Sequence, residues 1–180
     1  MPHTLLIHAA GRVERPDRVL CDRADGGHLV VLPPRPVWDR TALDAAELAA
    51  WSLLVAATGQ AMLETLPALR DGCLNYWDAG NWALNERAEP AGPKQPRRDR
   101  HLHLHLFGRS RHACHPDWAW GESPRFPAYA DAQRWSAAFV PLSADECAAI
   151  GARAAALLAS SYRLDFVARG ASLDRPGSAS

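Results

Sequence analysis

The chain has 180 residues and a mass of 19.6 kDa, the size of one ordinary domain that can bury a core without disulfides or a structural metal. It is 48% hydrophobic and 22% charged, with 20 basic and 20 acidic side chains, a balance that excludes disordered, fibrous and collagenous classes. A formal charge of zero and a pI near 7.1 argue against a protein that neutralises a nucleic-acid backbone or an acidic membrane surface. The N-terminus, MPHTLLIHAAGRVERP, has no basic stretch leading into a long apolar one, so no secretory signal is expected. The most apolar window, Leu48 to Leu63, is shorter than the roughly 20 residues of a membrane span. Cys21, Cys73, Cys114 and Cys147 are widely spaced without a CxxC pair, which predicts reduced thiols in a cytoplasmic protein.

In chain order, Arg18–Asp22 (RVLCD) and His28–Leu32 (HLVVL), joined through Asp25-Gly26-Gly27, predict a β-hairpin. Pro33, Pro34 and Pro36 stop the second strand, because proline has no ladder donor. Asp44 followed by Glu47 has capping-box spacing, and Leu48, Trp51, Leu54, Val55 and Met62 recur at helical intervals, predicting a helix over 44–64. Cys73–Trp77 and Trp82–Leu84 have strand character. Glu86 to Arg100 carries three prolines and no apolar period, so it reads as an exposed excursion. From Glu86 to Arg111 there are seven basic side chains against three acidic ones, a local basic patch inside a neutral whole.

Residues 101–107, HLHLHLF, alternate strictly and predict a strand with leucines on one face and His101, His103 and His105 on the other. Ser143 with Glu146 forms a second capping box, and Cys147, Ile150, Ala154, Leu157 and Leu158 continue an amphipathic helix to about residue 160. Residues 171–180 read as a frayed tail behind a single domain over 1–170. Strands neighbouring in sequence, with one helix between and one after, give an α+β class.

Same-face residues on a strand are separated by roughly 6.6 Å, so the histidines form a row on a rigid element. Three readings are open. The row can be the half-exposed face of an ordinary strand. An HxH pair can chelate a metal with a further ligand from elsewhere, although the outer two of three lie roughly 13 Å apart on an unbent strand. Or the row can transfer phosphoryl groups, the central ring attacking phosphorus while its neighbours donate to oxygen, since histidine serves as nucleophile or acid near neutral pH. Arg97, Arg98, Arg100, Lys94 and Arg109 would then draw in a polyphosphate.

HLHLHLF resembles the signature of the histidine-triad superfamily, His-φ-His-φ-His-φ-φ with φ apolar, at all seven positions. Asn75 and Gly80-Asn81 resemble residues before the triad in some bacterial members, and the Pro-terminated HLVVL strand and the helix after it are similar too. The resemblance implies an antiparallel sheet, a homodimer, a nucleotide or dinucleoside polyphosphate as substrate, and no cofactor or metal. It implies that His103 is the nucleophile, passing through a nucleotidyl-histidine that water resolves, while His101 and His105 orient and polarise phosphate. Asn75, Gly80 and Asn81 would contact substrate. The family's Gly-Gln before the triad is missing, which leaves Gln95 or an arginine such as Arg97 to take its place. A fourth histidine, expected after the first hairpin, is Pro36 here, so that role is either vacant or filled from elsewhere, with His112 and His115 as the candidates. A module that binds nucleotide without turnover is the alternative. Trp77, Trp82, Trp118 and Trp120 are the candidates to stack on a base, and Trp38, Trp51 and Trp135 are expected in packing.

Overall fold

The computed structural model describes residues 2–163; the tail expected over 171–180 lies outside the described residues. An antiparallel sheet contains β1 (His3–His8), β2 (Gly11–Arg15), β3 (His28–Leu32), β4 (Cys73–Ala79) and β5 (His103–Arg109), in the order β1-β2-β3-β5-β4. The long helices are α1 (Ala45–Thr65) and α4 (Ala144–Ala159), with short helices α2 (Pro96–Asp99) and α3 (Ala132–Ser136). This is the expected α+β class.

Both long helices start where the sequence says they should. Asp44 and Glu47 exchange side-chain and backbone bonds at the start of α1, and Ser143 and Glu146 do the same for α4, each box satisfying donors that a helix N-terminus otherwise leaves unpaired. α1 is long and apolar enough to cross a membrane, yet Trp51, Leu54, Ala57, Ala61 and Met62 are buried in one cluster with Ile150, Ala154 and Leu157 of α4 and with Val13, Leu29, Val31, Leu104 and Leu106 of the sheet. Its apolarity therefore builds the core. A second cluster on the opposite face of the sheet joins Val19, Leu20, Cys21, Phe107, Trp118 and Phe139.

Three expected elements differ. Arg18–Asp22 is not a strand; β3 pairs with β2 instead, and the first hairpin is β1–β2, turned at Gly11 with φ 141°. Val19, Leu20 and Cys21 are apolar because they bury as an irregular segment in the second cluster. The Trp82–Leu84 stretch lies in a 3-10 turn, Asn81–Leu84, which starts at Gly80. The histidine strand begins at His103, two residues later than expected, because pairing with β4 ends at Ala79 opposite His103. All four cysteines are free thiols.

Candidate active site

Alternation along β5 sends Leu104 and Leu106 into the helix-covered core, where they are 7% and 0% exposed, and turns His103 and His105 to the other face, as strand geometry requires. The two rings meet edge to face with centroids 4.8 Å apart. His103 Nδ1 lies 2.8 Å from the backbone carbonyl of His101. A carbonyl only accepts, so Nδ1 carries the proton and Nε2 keeps its lone pair. Burial holds the His103 pKa below the usual 6.5; the bond to His101 and the charge of Asp78 oppose that, and Arg100 and His101 add to it. A neutral ring with a free Nε2 is the nucleophilic form of imidazole.

His105 is set the opposite way, through His28. The Leu20 amide donates to His28 Nδ1 at 3.1 Å, so the neutral His28 ring is protonated on Nε2. That nitrogen lies 2.7 Å from His105 Nδ1 and donates to it. His105 Nδ1 is thereby the acceptor, and the proton of His105 sits on Nε2. Strand register explains the contact: His28 pairs with Phe107 while Val30 pairs with His105, which makes His28 and His105 diagonal neighbours on one face. His28 is 1% exposed and stacks on both His105 and Phe107. Burial, reinforced by the other rings, drives the His28 pKa well below 6.5, and burial with the charge of His103 brings His105 down to about 3.

His103 and His105 form one wall of a cavity of about 360 Å³, within the size range of small-ligand sites. Trp77, Trp82, Leu20 and the Ala79–Ala83 segment complete it. No Lys or Arg is among the lining residues. Trp77 packs tilted against Phe126 with centroids 4.2 Å apart and approaches the His105 ring at 5.9 Å, while Trp82 meets Tyr129 edge-on. One side of the cavity thus offers a lone pair and an N–H, and the other a flat aromatic surface.

Of the residues singled out in the sequence, Gly80, Asn81, Trp77 and Trp82 line this cavity with His103 and His105. The His101 side chain does not. It is exposed and lines a separate groove with Pro33, Pro36 and Leu102, and only its carbonyl serves the site. Asn75 lies further along β4, its Oδ1 accepting from Arg109. Arg109 is 5% exposed and also donates to the carbonyls of Ala119 and Glu122, so it ties a loop down and does not line the cavity. Gln95 is exposed at the start of α2, where its backbone N–H donates to Asp99 Oδ2, and Arg97 lies over the Trp38 ring. Neither borders the cavity. The basic excursion is largely paired with itself: Arg98 binds Asp99 and the Pro93 carbonyl, and Lys94 binds the Pro90 carbonyl.

The further histidine beside this pair is His28, and none of the positions expected from the sequence supplies it. Pro36 is exposed, His115 caps a turn at Asp117, and His112 borders a different cleft with Arg70 and Arg111. The signal was present in HLVVL, where a charged-capable ring heads an otherwise apolar strand on the parity of Val30. Trp118 is fully buried and bonds the Leu20 carbonyl, and Trp120 lies under Arg111. Trp51 is core and Trp135 packs on Phe139. Among the described residues no group of three or more His, Cys, Asp or Glu side chains is arranged to hold a metal ion.

The sheet order, the helix after β3 and the histidines on β5 define a histidine-triad-like fold. A hypothetical histidine triad nucleotide-binding protein from Sulfolobus tokodaii strain 7 shares it at a TM-score of 0.50 and 16% sequence identity, over 88% of this chain and 87% of that one. At that identity the likeness is one of fold. No protein-family model and no curated protein matches the sequence.

Proposed function

We propose that the protein binds a nucleotide and cleaves it at the α-phosphate through a nucleotidyl-histidine intermediate. One observation carries this reading: adjacent imidazoles on the wall of an aromatic-lined cavity are locked in opposite tautomers, His103 with Nε2 free and His105 with Nε2 protonated. His103 Nε2 attacks phosphorus, the bond to the leaving group breaks, and the leaving group departs with the electron pair. His105 Nε2–H donates to a phosphoryl oxygen as charge develops there. Water then attacks phosphorus and gives up a proton to solvent, the P–N bond breaks with its electron pair returning to His103 Nε2, and a nucleoside monophosphate is released. Splitting one displacement into two lowers each barrier. The base stacks on the Trp77 and Trp82 wall, an interaction that tolerates any base.

The fold neighbour's description as a nucleotide-binding protein agrees with this ligand class. Dinucleoside polyphosphates and nucleoside phosphoramidates share the α-phosphate and differ in what leaves, and both are proposed substrates. A homodimer formed by adding β4 to the β4 of a second copy is supported by its position at the sheet edge and by Tyr76 and Trp77, which are 51% and 36% exposed.

The test is a turnover screen against both substrate classes, with His103→Ala as control and calorimetric titration of nucleoside monophosphate alongside. Turnover lost in His103→Ala with binding retained supports the reading. Equal turnover by the variant removes His103 as nucleophile, and binding without turnover by the unmodified chain makes the protein a nucleotide-binding module.

A further inference from the structure

If His103 is the nucleophile, its competence rests on one backbone carbonyl, that of His101, and the sheet does not hold that carbonyl. Ladder pairing between β4 and β5 stops at Ala79 and His103, so His101 lies beyond the last pair. Two ties flank it. On one side the Leu102 amide donates to the Val37 carbonyl at 2.8 Å. On the other the Arg100 guanidinium reaches two segments. Its Nη1 donates to the Trp38 carbonyl at 2.6 Å and to Asp39 Oδ2 at 2.9 Å. Its Nη2 reaches the Ala79 carbonyl at 3.4 Å and lies 3.7 Å from Asp78 Oδ1.

We infer that Arg100 is a positioning residue for His103, clamping the His101 peptide to the end of β4 and to the 37–39 loop so that the carbonyl fixes the His103 tautomer. This rests on the reading of His103 as nucleophile. Arg100 is not placed to take phosphate: its side chain is 13% exposed, both Nη atoms are engaged, and it does not line the cavity. A guanidinium suits the task because its planar fork serves several acceptors at once, which an ammonium cannot do in the same geometry. Gly80 completes the clamp. Its φ is 131°, and a Cβ there would lie 3.0 Å from Arg100 Cγ, 3.1 Å from Arg100 Nε and 3.2 Å from the His101 carbonyl oxygen. The positive φ calls for glycine before the 3-10 turn, and a side chain there would also crowd the arginine that lies over it.

With the clamp gone, the His101 peptide is free to rotate, the His103 Nδ1–H loses its acceptor, and part of the population moves its proton to Nε2, where the ring no longer attacks. The experiment uses the full chain at pH 7.5 and reads the imidazole nitrogens of His103 by ¹⁵N NMR, assigned by their absence in His103→Ala. In the unmodified protein Nδ1 is expected at the protonated position and Nε2 at the unprotonated one. In Arg100→Met both signals are expected to move toward intermediate values. On a substrate found in the screen, its kcat is expected to fall about 10-fold with KM within about 2-fold, the scale on which orienting partners act. Arg100→Lys keeps the charge without the fork, and its nitrogen signals are expected to move in the same direction by less.

A folded Arg100→Met with unchanged His103 nitrogen signals overturns the proposal, whatever its activity. If Arg100→Met does not fold, the unmodified protein and Arg100→Lys decide: His103 protonated on Nε2 in the former, or unmoved signals in the latter, overturn it equally. The nitrogen signals need no substrate, so a protein that turns nothing over while Arg100→Met shifts them loses the hydrolase reading and keeps the clamp.

Discussion

Replacing His28 with phenylalanine tests the relay that sets His105. The substitution keeps a flat ring of similar size between His105 and Phe107, where His28 now stacks at 4.9 and 4.4 Å, and removes both of its hydrogen bonds. It strands the Leu20 amide and His105 Nδ1 in the interior, and each unsatisfied buried group costs about 1–3 kcal/mol. At pH 7.5 the variant is therefore expected to be less stable by about 2–6 kcal/mol. The pH dependence separates this cause from misfitting packing. His28 and His105 both have folded pKa values depressed below the unfolded 6.5, so as pH falls below 6.5 the unfolded chain takes up protons that the fold refuses, and stability drops. For His105, held at about 3, the loss between pH 7.5 and 5.5 is about 1.4 kcal/mol. His28, depressed by burial and by the neighbouring rings, contributes a loss of the same sign. The variant lacks the His28 share, so its deficit should shrink at pH 5.5. Urea unfolding at the two pH values, followed by tryptophan fluorescence, reads the deficit and its change. A deficit that stays constant or widens on acidification would refute the claim that His28 is held neutral by its surroundings.

Other expectations are more local. Trp82→Ala should weaken nucleoside monophosphate binding about 10-fold through lost base stacking and leave kcat nearly unchanged; unaltered affinity by titration would take the base off that wall. Gly108→Ala places a Cβ 2.1 Å from the Gly26 carbonyl oxygen and 2.4 Å from its carbon, backbone that cannot step aside, so unfolding free energy should fall by about 3 kcal/mol or more, and a denaturation midpoint like that of the unmodified chain would contradict the close approach. Arg109→Met removes the ties to Asn75, Ala119 and Glu122 and should lower the melting temperature without raising KM; a raised KM at unchanged stability would return Arg109 to the substrate site.

The parts of the fold that could be read ahead of the structure are those where one local rule decides. Capping boxes at Asp44 and Ser143 locate both long helices to within a residue, and strict alternation identifies the histidine strand. The misread parts are those where two rules compete. RVLCD has strand composition, but Val19, Leu20 and Cys21 are apolar for the sake of Phe107 and Trp118, and apolarity alone does not distinguish a strand from a buried irregular segment. Arg109 misled by its charge. It shares the face of His105 and Phe107 by parity, and Asn75 Oδ1 together with the loop carbonyls of Ala119 and Glu122, brought over it by the fold, makes an interior arginine tolerable there.

The candidate site shows the same division at finer scale. A His-x-His repeat gives proximity and a shared face, and it treats the rings as equivalent. The proposed chemistry needs them inequivalent: one must present a lone pair and its neighbour a proton. Neither state comes from a nearby charge, since no Lys or Arg lines the cavity and burial leads the causes that keep both rings neutral. The difference comes from backbone groups that are distant in sequence from at least one of their partners. The His101 carbonyl, held by Arg100 and by the Leu102–Val37 bond, fixes the proton of His103 on Nδ1. The Leu20 amide, relayed by His28, fixes that of His105 on Nε2. Leu20 lies in the segment misread as a strand, and its amide goes to an imidazole and not to a ladder partner. The segment at 18–22 thus contributes to the site through a backbone donor, which no side-chain pattern in the sequence displays.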